Sequence, residues 1–167
     1  MLDTAFFMTM GGLGVSLAGF GGLFSALHHD DSGMDPAIYR WRMREIVLSS
    51  FRLAFLGFGV VVVHGFTDDV AATARIISGL AVVTGFASLL TSMKPGPAWP
   101  NETDRRGAIG GSSMSLLVVA GNVVAGSQVY LRVVMLIPLL QPALVFIRAT
   151  IDATGSAAGA AAVEDHR

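Results

Sequence analysis

Long, nearly uninterrupted apolar blocks set the pattern of this chain, with short polar segments between them. The first block runs from Ala5 to Leu27. As a helix it is about 34 Å long, enough to cross a hydrocarbon core of about 30 Å. A polar stretch from His28 to Pro36 follows. Asp35 and Pro36 make a good helix start, a capping carboxylate followed by a residue whose missing N–H costs nothing in a first turn. This second helix is expected to begin on a membrane surface with Tyr39, Arg40, Trp41, Arg42 and Arg44, to enter the bilayer near Ile46 and to leave it near Gly65. Thr67, Asp68 and Asp69 open a third helix with acids where the helix dipole favours them, and its span covers residues 70–93.

Residues 94–106 contain three prolines and read as the clearest loop. The apolar block from Ala108 to Ile147 is too long for one span. Gly121, Asn122, Gly126, Ser127 and Gln128 cluster near its middle and mark a break. The reading is therefore an all-α integral membrane protein, a small polytopic bundle of five transmembrane helices over residues 5–27, 46–65, 70–93, 108–124 and 129–149. The alternative is four helices, the last one long. Residues 1–154 form one domain, and 155–167 are a low-complexity tail expected to lack fixed structure.

Composition strengthens this picture. Hydrophobic residues are 53% of the chain, charged residues 14%, and mean hydropathy is +0.64. A water-soluble domain carries about 25% charged residues, so most of this surface is expected to face lipid. A net charge of −1 offers no basic excess for nucleic acid. No cysteine is present, which excludes disulfides, thiolate metal sites and cysteine nucleophiles. Ten of the eleven basic residues are arginine, and Ala, Gly and Val are abundant. That balance points to a G+C-rich genome and a bacterial plasma (inner) membrane. The first block has Asp3 and no basic residue ahead of it, so it reads as a retained span and not as a signal peptide.

Charge also sets an orientation. Arg40, Arg42, Arg44, Arg52, Lys94, Arg105, Arg106, Arg148 and Arg167 fall on one side of the five-span arrangement, and Arg75 and Arg132 on the other. Because basic loops stay in the cytoplasm, the N-terminus is expected outside and the C-terminus inside. Tyr39, Trp41, Trp99 and Tyr130 fall at expected interfaces, where amphipathic rings belong.

In lipid, close packing of small residues does much of the work between helices. Gly14, Ala18, Gly22 and Ala26 recur every four residues in the first span. Their partner is either the fourth span, with Gly107, Gly111 and Ser115 at the same spacing, or another subunit. Pro138 and Pro142 are expected to kink the last span, with Gln141 bonding a freed carbonyl.

Candidate chemistry is sparse. No Asp or Glu falls within an expected span, which disfavours a proton relay. The polar intramembrane groups are Arg52, His64, Asn122, Arg132 and Gln141. Arg52 and Arg132 either snorkel to headgroups or, with no acid nearby to neutralise them, grip an anion or a lipid phosphate. His28–Asp31 reads as a polar loop, and the break expected at Gly65–Thr67 argues against a His64–Asp68 metal pair. No metal, cofactor or catalytic cluster is expected, and the clustered Glu, Arg, His and Asn of small four-helix membrane enzymes is not in this chain. Three functions survive. The first is an accessory or scaffold membrane subunit that packs through its glycine-rich first helix, as a homo-oligomer or with a membrane partner protein. The second is a small oligomeric channel or carrier for anions or a lipid-like solute. The third is a membrane-embedded enzyme.

Overall fold

The structure, a computed structural model, describes residues 2–27, 36–93 and 102–140, with single helical positions at 143 and 147. The described residues are helical with no strand. The elements are α1 (Thr4–Leu27), α2 (Pro36–Thr67), α3 (Val70–Met93), α4 (Glu102–Ala125) and α5 (Gln128–Leu140). Four of them, α1 to α4, are long and apolar enough to cross a membrane. Pro142, Gln141, Arg148, the 155–167 tail, His28–Asp31, Lys94 and Trp99 lie outside the described residues, as do the side chains of Ala26 and Trp41.

Two boundaries differ from expectation. α4 starts at Glu102, inside the segment read as loop. Pro100 is the last proline before it, and acids at 102 and 104 are what a first helical turn favours. α2 runs unbroken through Gly65 to Thr67, because one glycine costs a helix only about 1 kcal/mol and the Asp68 N–H still reaches the His64 carbonyl at 2.9 Å.

The turns are built by capping. Asp69 takes the Ala71 N–H at 2.8 Å and caps α3, while Asp68 holds the chain reversal at φ +49°. At the end of α4, Gly126 has φ +62° and donates its N–H to the Asn122 carbonyl at 2.8 Å, the left-handed exit that favours glycine. A Cβ there would also press on the Ala71 carbonyl at 3.2 Å. This turn separates α4 from α5. Asp3 caps α1 by accepting the Phe6 N–H at 3.1 Å.

Consecutive helices pack antiparallel, α1 on α2, α2 on α3 and α3 on α4. α1 and α2 touch backbone to backbone. A Cβ at Gly14 would stand 2.5 Å from the Ala54 nitrogen and 2.6 Å from the Ser50 oxygen. A Cβ at Gly57 would stand 2.6 Å from the Gly11 nitrogen and 2.8 Å from the Phe7 oxygen. The buried positions of α1 are Phe7, Gly11, Gly14, Ala18 and Gly21. Their spacing alternates four and three, the 3.5-residue period that keeps one seam against a partner helix in a left-handed supercoil. A step of four overshoots a turn by about 40°, so Gly22 is rotated by about 80° from Gly14 and Gly21 by only about 20°. Accordingly Gly21 meets Ile46 and Gly22 meets nothing within 4 Å. The partner of this face is α2 and not α4.

The apolar core is contributed by all five helices. Phe7, Leu53, Leu56, Val60, Ile77, Val119, Leu131, Val134 and Met135 form it. These positions come from the start of α1, the later part of α2, the start of α3, the end of α4 and the start of α5, so the core sits at one end of the bundle. The outward faces are apolar as well: Phe55 is 65% exposed, Val83 67% and Leu117 70%. Such a surface is compatible with a membrane location.

Gly14→Leu and Gly57→Leu should force α1 from α2 and cost about 1–3 kcal/mol or more, read as a lowered unfolding temperature in detergent. Gly22→Leu should leave that temperature unchanged; equal losses in all three would overturn the assigned seam.

Candidate functional site

The residues that sequence singled out are distributed between the two ends of the bundle. At the core end, the Arg132 guanidinium donates to Asp3 Oδ2 at 3.0 Å and lies 5.5 Å from the centroid of Phe6. Both partners of the pair are more than two-fifths exposed, so its contribution to stability is at most about 1 kcal/mol. An acid therefore does stand beside Arg132. It comes from 129 residues away in sequence, beyond the reach of any spacing argument.

His64 also lies at this end. Its Nδ1 is 3.4 Å from Thr73 Oγ1, and Thr73 Oγ1 is 2.9 Å from Thr67 Oγ1. Thr73 also donates to the Asp69 carbonyl at 2.7 Å. The cluster pins the α2–α3 turn. Among the described residues no three His, Cys, Asp or Glu side chains gather as metal ligands.

Asn122 is 1% exposed and donates to Ser78 Oγ at 2.9 Å, tying α4 to α3. Its Oδ1 accepts the Ser127 N–H at 2.9 Å. One side chain thus satisfies a helix contact and a turn, which is how a buried amide avoids the penalty of an unmet hydrogen bond.

Arg52 lies midway along α2, at the inner limit of a cleft of about 180 Å³ between α2 and α3 that extends toward the other end. Arg44, Glu45 and Ser49 line it from α2, and Thr84, Ser88 and Thr91 from α3. Glu45, Ser49 and Arg52 recur at intervals of four and three, as do Thr84, Ser88 and Thr91. Each set occupies one helical face. The contacts of Gly59 with Ile77 and of His64 with Thr73 set the antiparallel register, which brings Glu45 level with Thr91 and Arg52 level with Thr84. Two polar stripes of equal spacing therefore face each other where the core has ended. This matched spacing was the sequence signal for the cleft.

The apolar stretch of α2 begins at Met43 and includes Glu45, so an acid does fall inside it. Glu45 acts electrostatically on Arg52. Ser49 donates to the Glu45 and Ile46 carbonyls, Thr84 to the Leu80 carbonyl at 3.1 Å, and Thr91 to the Ser88 carbonyl at 2.7 Å. With their protons engaged, these hydroxyls present oxygen lone pairs. The cleft thus offers guanidinium donors, hydroxyl acceptors and one carboxylate.

No family model, characterised protein or solved structure matches the chain. Its chemistry is read from these residues alone.

Two substitutions separate satisfied from unsatisfied polar groups. Asn122→Ala leaves Ser78 and the Ser127 N–H without their partner and should cost about 1–3 kcal/mol. Ser50 is fully buried and its Oγ has no partner, so Ser50→Ala should be neutral or stabilising. Chemical unfolding of both variants checks the opposite signs.

Proposed function

We propose that this chain is a multi-pass protein of a bacterial plasma membrane that serves as an accessory or scaffold subunit, joined to another membrane helix through α4. The observation that carries the reading is a packing motif left unused inside the bundle. Gly107, Gly111 and Ser115 have the small-xxx-small spacing that lets membrane helices approach closely. Among the described residues, a Cβ at Gly107 or Gly111 would meet nothing within 4 Å, nor would one at Gly110 or Gly121. α4 is also the least enclosed of the long apolar helices, with 12% of its apolar window buried. Because Gly11, Gly14 and Gly21 of α1 are taken up by α2, the motif on α4 is left for a second copy of this chain or a partner protein. Arg52 lies midway along α2 and Arg132 at the core end, each with a carboxylate in its surroundings, which weakens the case for an anion pathway.

In the proposed orientation the N-terminus and the α2–α3 and α4–α5 turns are outside, and the arginine-rich end and the C-terminus are cytoplasmic. The bias of basic residues supports this orientation. Since the chain has no cysteine, single-cysteine labelling has no background. Val129→Cys should react with an impermeant maleimide on intact cells, and Arg106→Cys only after permeabilisation. The reverse pattern inverts the orientation.

Native mass spectrometry of protein extracted gently from its own membrane should show a species heavier than one chain. Gly111→Leu should abolish it without lowering the unfolding temperature, because a side chain at position 111 meets none of the described residues. A monomer in the wild-type preparation, or an intact assembly in the variant, ends the reading.

A further inference from the structure

Arg52 stands nine residues inside the start of the α2 apolar stretch at Met43, about 13 Å along the helix. A guanidinium at that depth is costly unless its donors are met. The cleft around it holds two arginines, Arg44 and Arg52, against the single carboxylate of Glu45, an excess of one positive charge. It opens where the α3 apolar stretch ends at Thr91, so its mouth is at headgroup level for a chain inserted as proposed. Leu48 lines it and is 47% exposed, and Phe55, two turns on along the same face, is 65% exposed.

From these features we infer that the α2–α3 cleft is a binding site for one phospholipid that carries a single negative charge and a hydroxylated head group, of the phosphatidylglycerol type. The phosphodiester takes the donors of Arg44 and Arg52 and cancels the excess charge. The head-group hydroxyls donate to the lone pairs that Ser49 and Thr91 present and to Glu45. An acyl chain lies along Leu48 and Phe55. Charge selects among head groups: a zwitterionic ethanolamine lipid leaves the excess positive charge in place. The inference rests on the membrane reading and not on the α4 assembly.

The test is a titration of the full-length protein in mild detergent, followed by native mass spectrometry, with short-chain phosphatidylglycerol, short-chain phosphatidylethanolamine, glycerol phosphate and inorganic phosphate as probes. One phosphatidylglycerol should be retained per chain, about tenfold more tightly than phosphatidylethanolamine, the scale of one charge-assisted contact. Arg44→Gln with Arg52→Gln should remove that preference. Arg75→Gln, which deletes one charge at the opposite end, should keep it, and unfolding temperatures should confirm that all the variants are folded. Equal retention of the two lipids, an unaltered preference in the double variant, or an equal loss in Arg75→Gln overturns the site. Displacement by either soluble phosphate compound makes the ligand a free anion and overturns the lipid assignment. Alkaline carbonate extraction of the native protein tests membrane residence separately, so the two readings fail separately.

Discussion

Where Gly14 meets Ser50 and Ala54, and where Gly57 meets Phe7 and Gly11, two helical backbones touch with no side chain between them. In a bundle whose outer surface is as apolar as its interior, burial alone selects no pairing, because an apolar face is equally at home against a helix or against hydrocarbon. Shape has to choose, and the glycine seam does so. It sets the register of α1 on α2, which carries Phe7 and Leu2 into the core with Leu53, Leu56 and Val60. The same register brings Asp3 to the place where Arg132 arrives from α5.

From that seam the molecule divides along its length. The end that holds the core is closed by directional bonds: Asn122 to Ser78, His64 to Thr73 and Arg132 to Asp3. Each joins residues of different helices, so the end is fixed by hydrogen bonding as well as by packing. At the other end the hydroxyls facing the cleft from α2 and α3 bond to carbonyls of their own helices. Those of Ser49, Thr84 and Thr91 give no bond to the facing helix, and a cleft of about 180 Å³ lies between α2 and α3 there. The same residue types lock one half of the bundle and leave room in the other, according to whether the bond leaves the helix.

What the sequence made legible was whatever depends on local chemistry. Block length and composition gave the helices, and the Gly126 region gave the α4–α5 turn because a left-handed exit favours glycine. Asp69 was readable as a cap for the same kind of reason. The seam on α1 was read with the right residue types and the wrong phase. A four-residue step and a 3.5-residue step agree at Gly14 and Ala18 and diverge by Gly22, where only a partner can decide between them. The acids beside Arg132 and Arg52 were missed for two reasons. Asp3 is brought in by tertiary packing, and Glu45, placed at the interface on the same expected helix, was not counted as a neighbour of Arg52 two turns further on. The cleft was legible in principle, as two matched stripes of polar residues on α2 and α3, but only once their antiparallel register was in view.

The connection between α2 and α3 is two residues long, Asp68 and Asp69, and its Asp69 carboxylate is already bonded to the next helix. It holds no slack. At that end α3 is tied in turn to α4 through Asn122. The two-residue turn and the Asn122–Ser78 bond therefore hold the core-end termini of these three helices side by side.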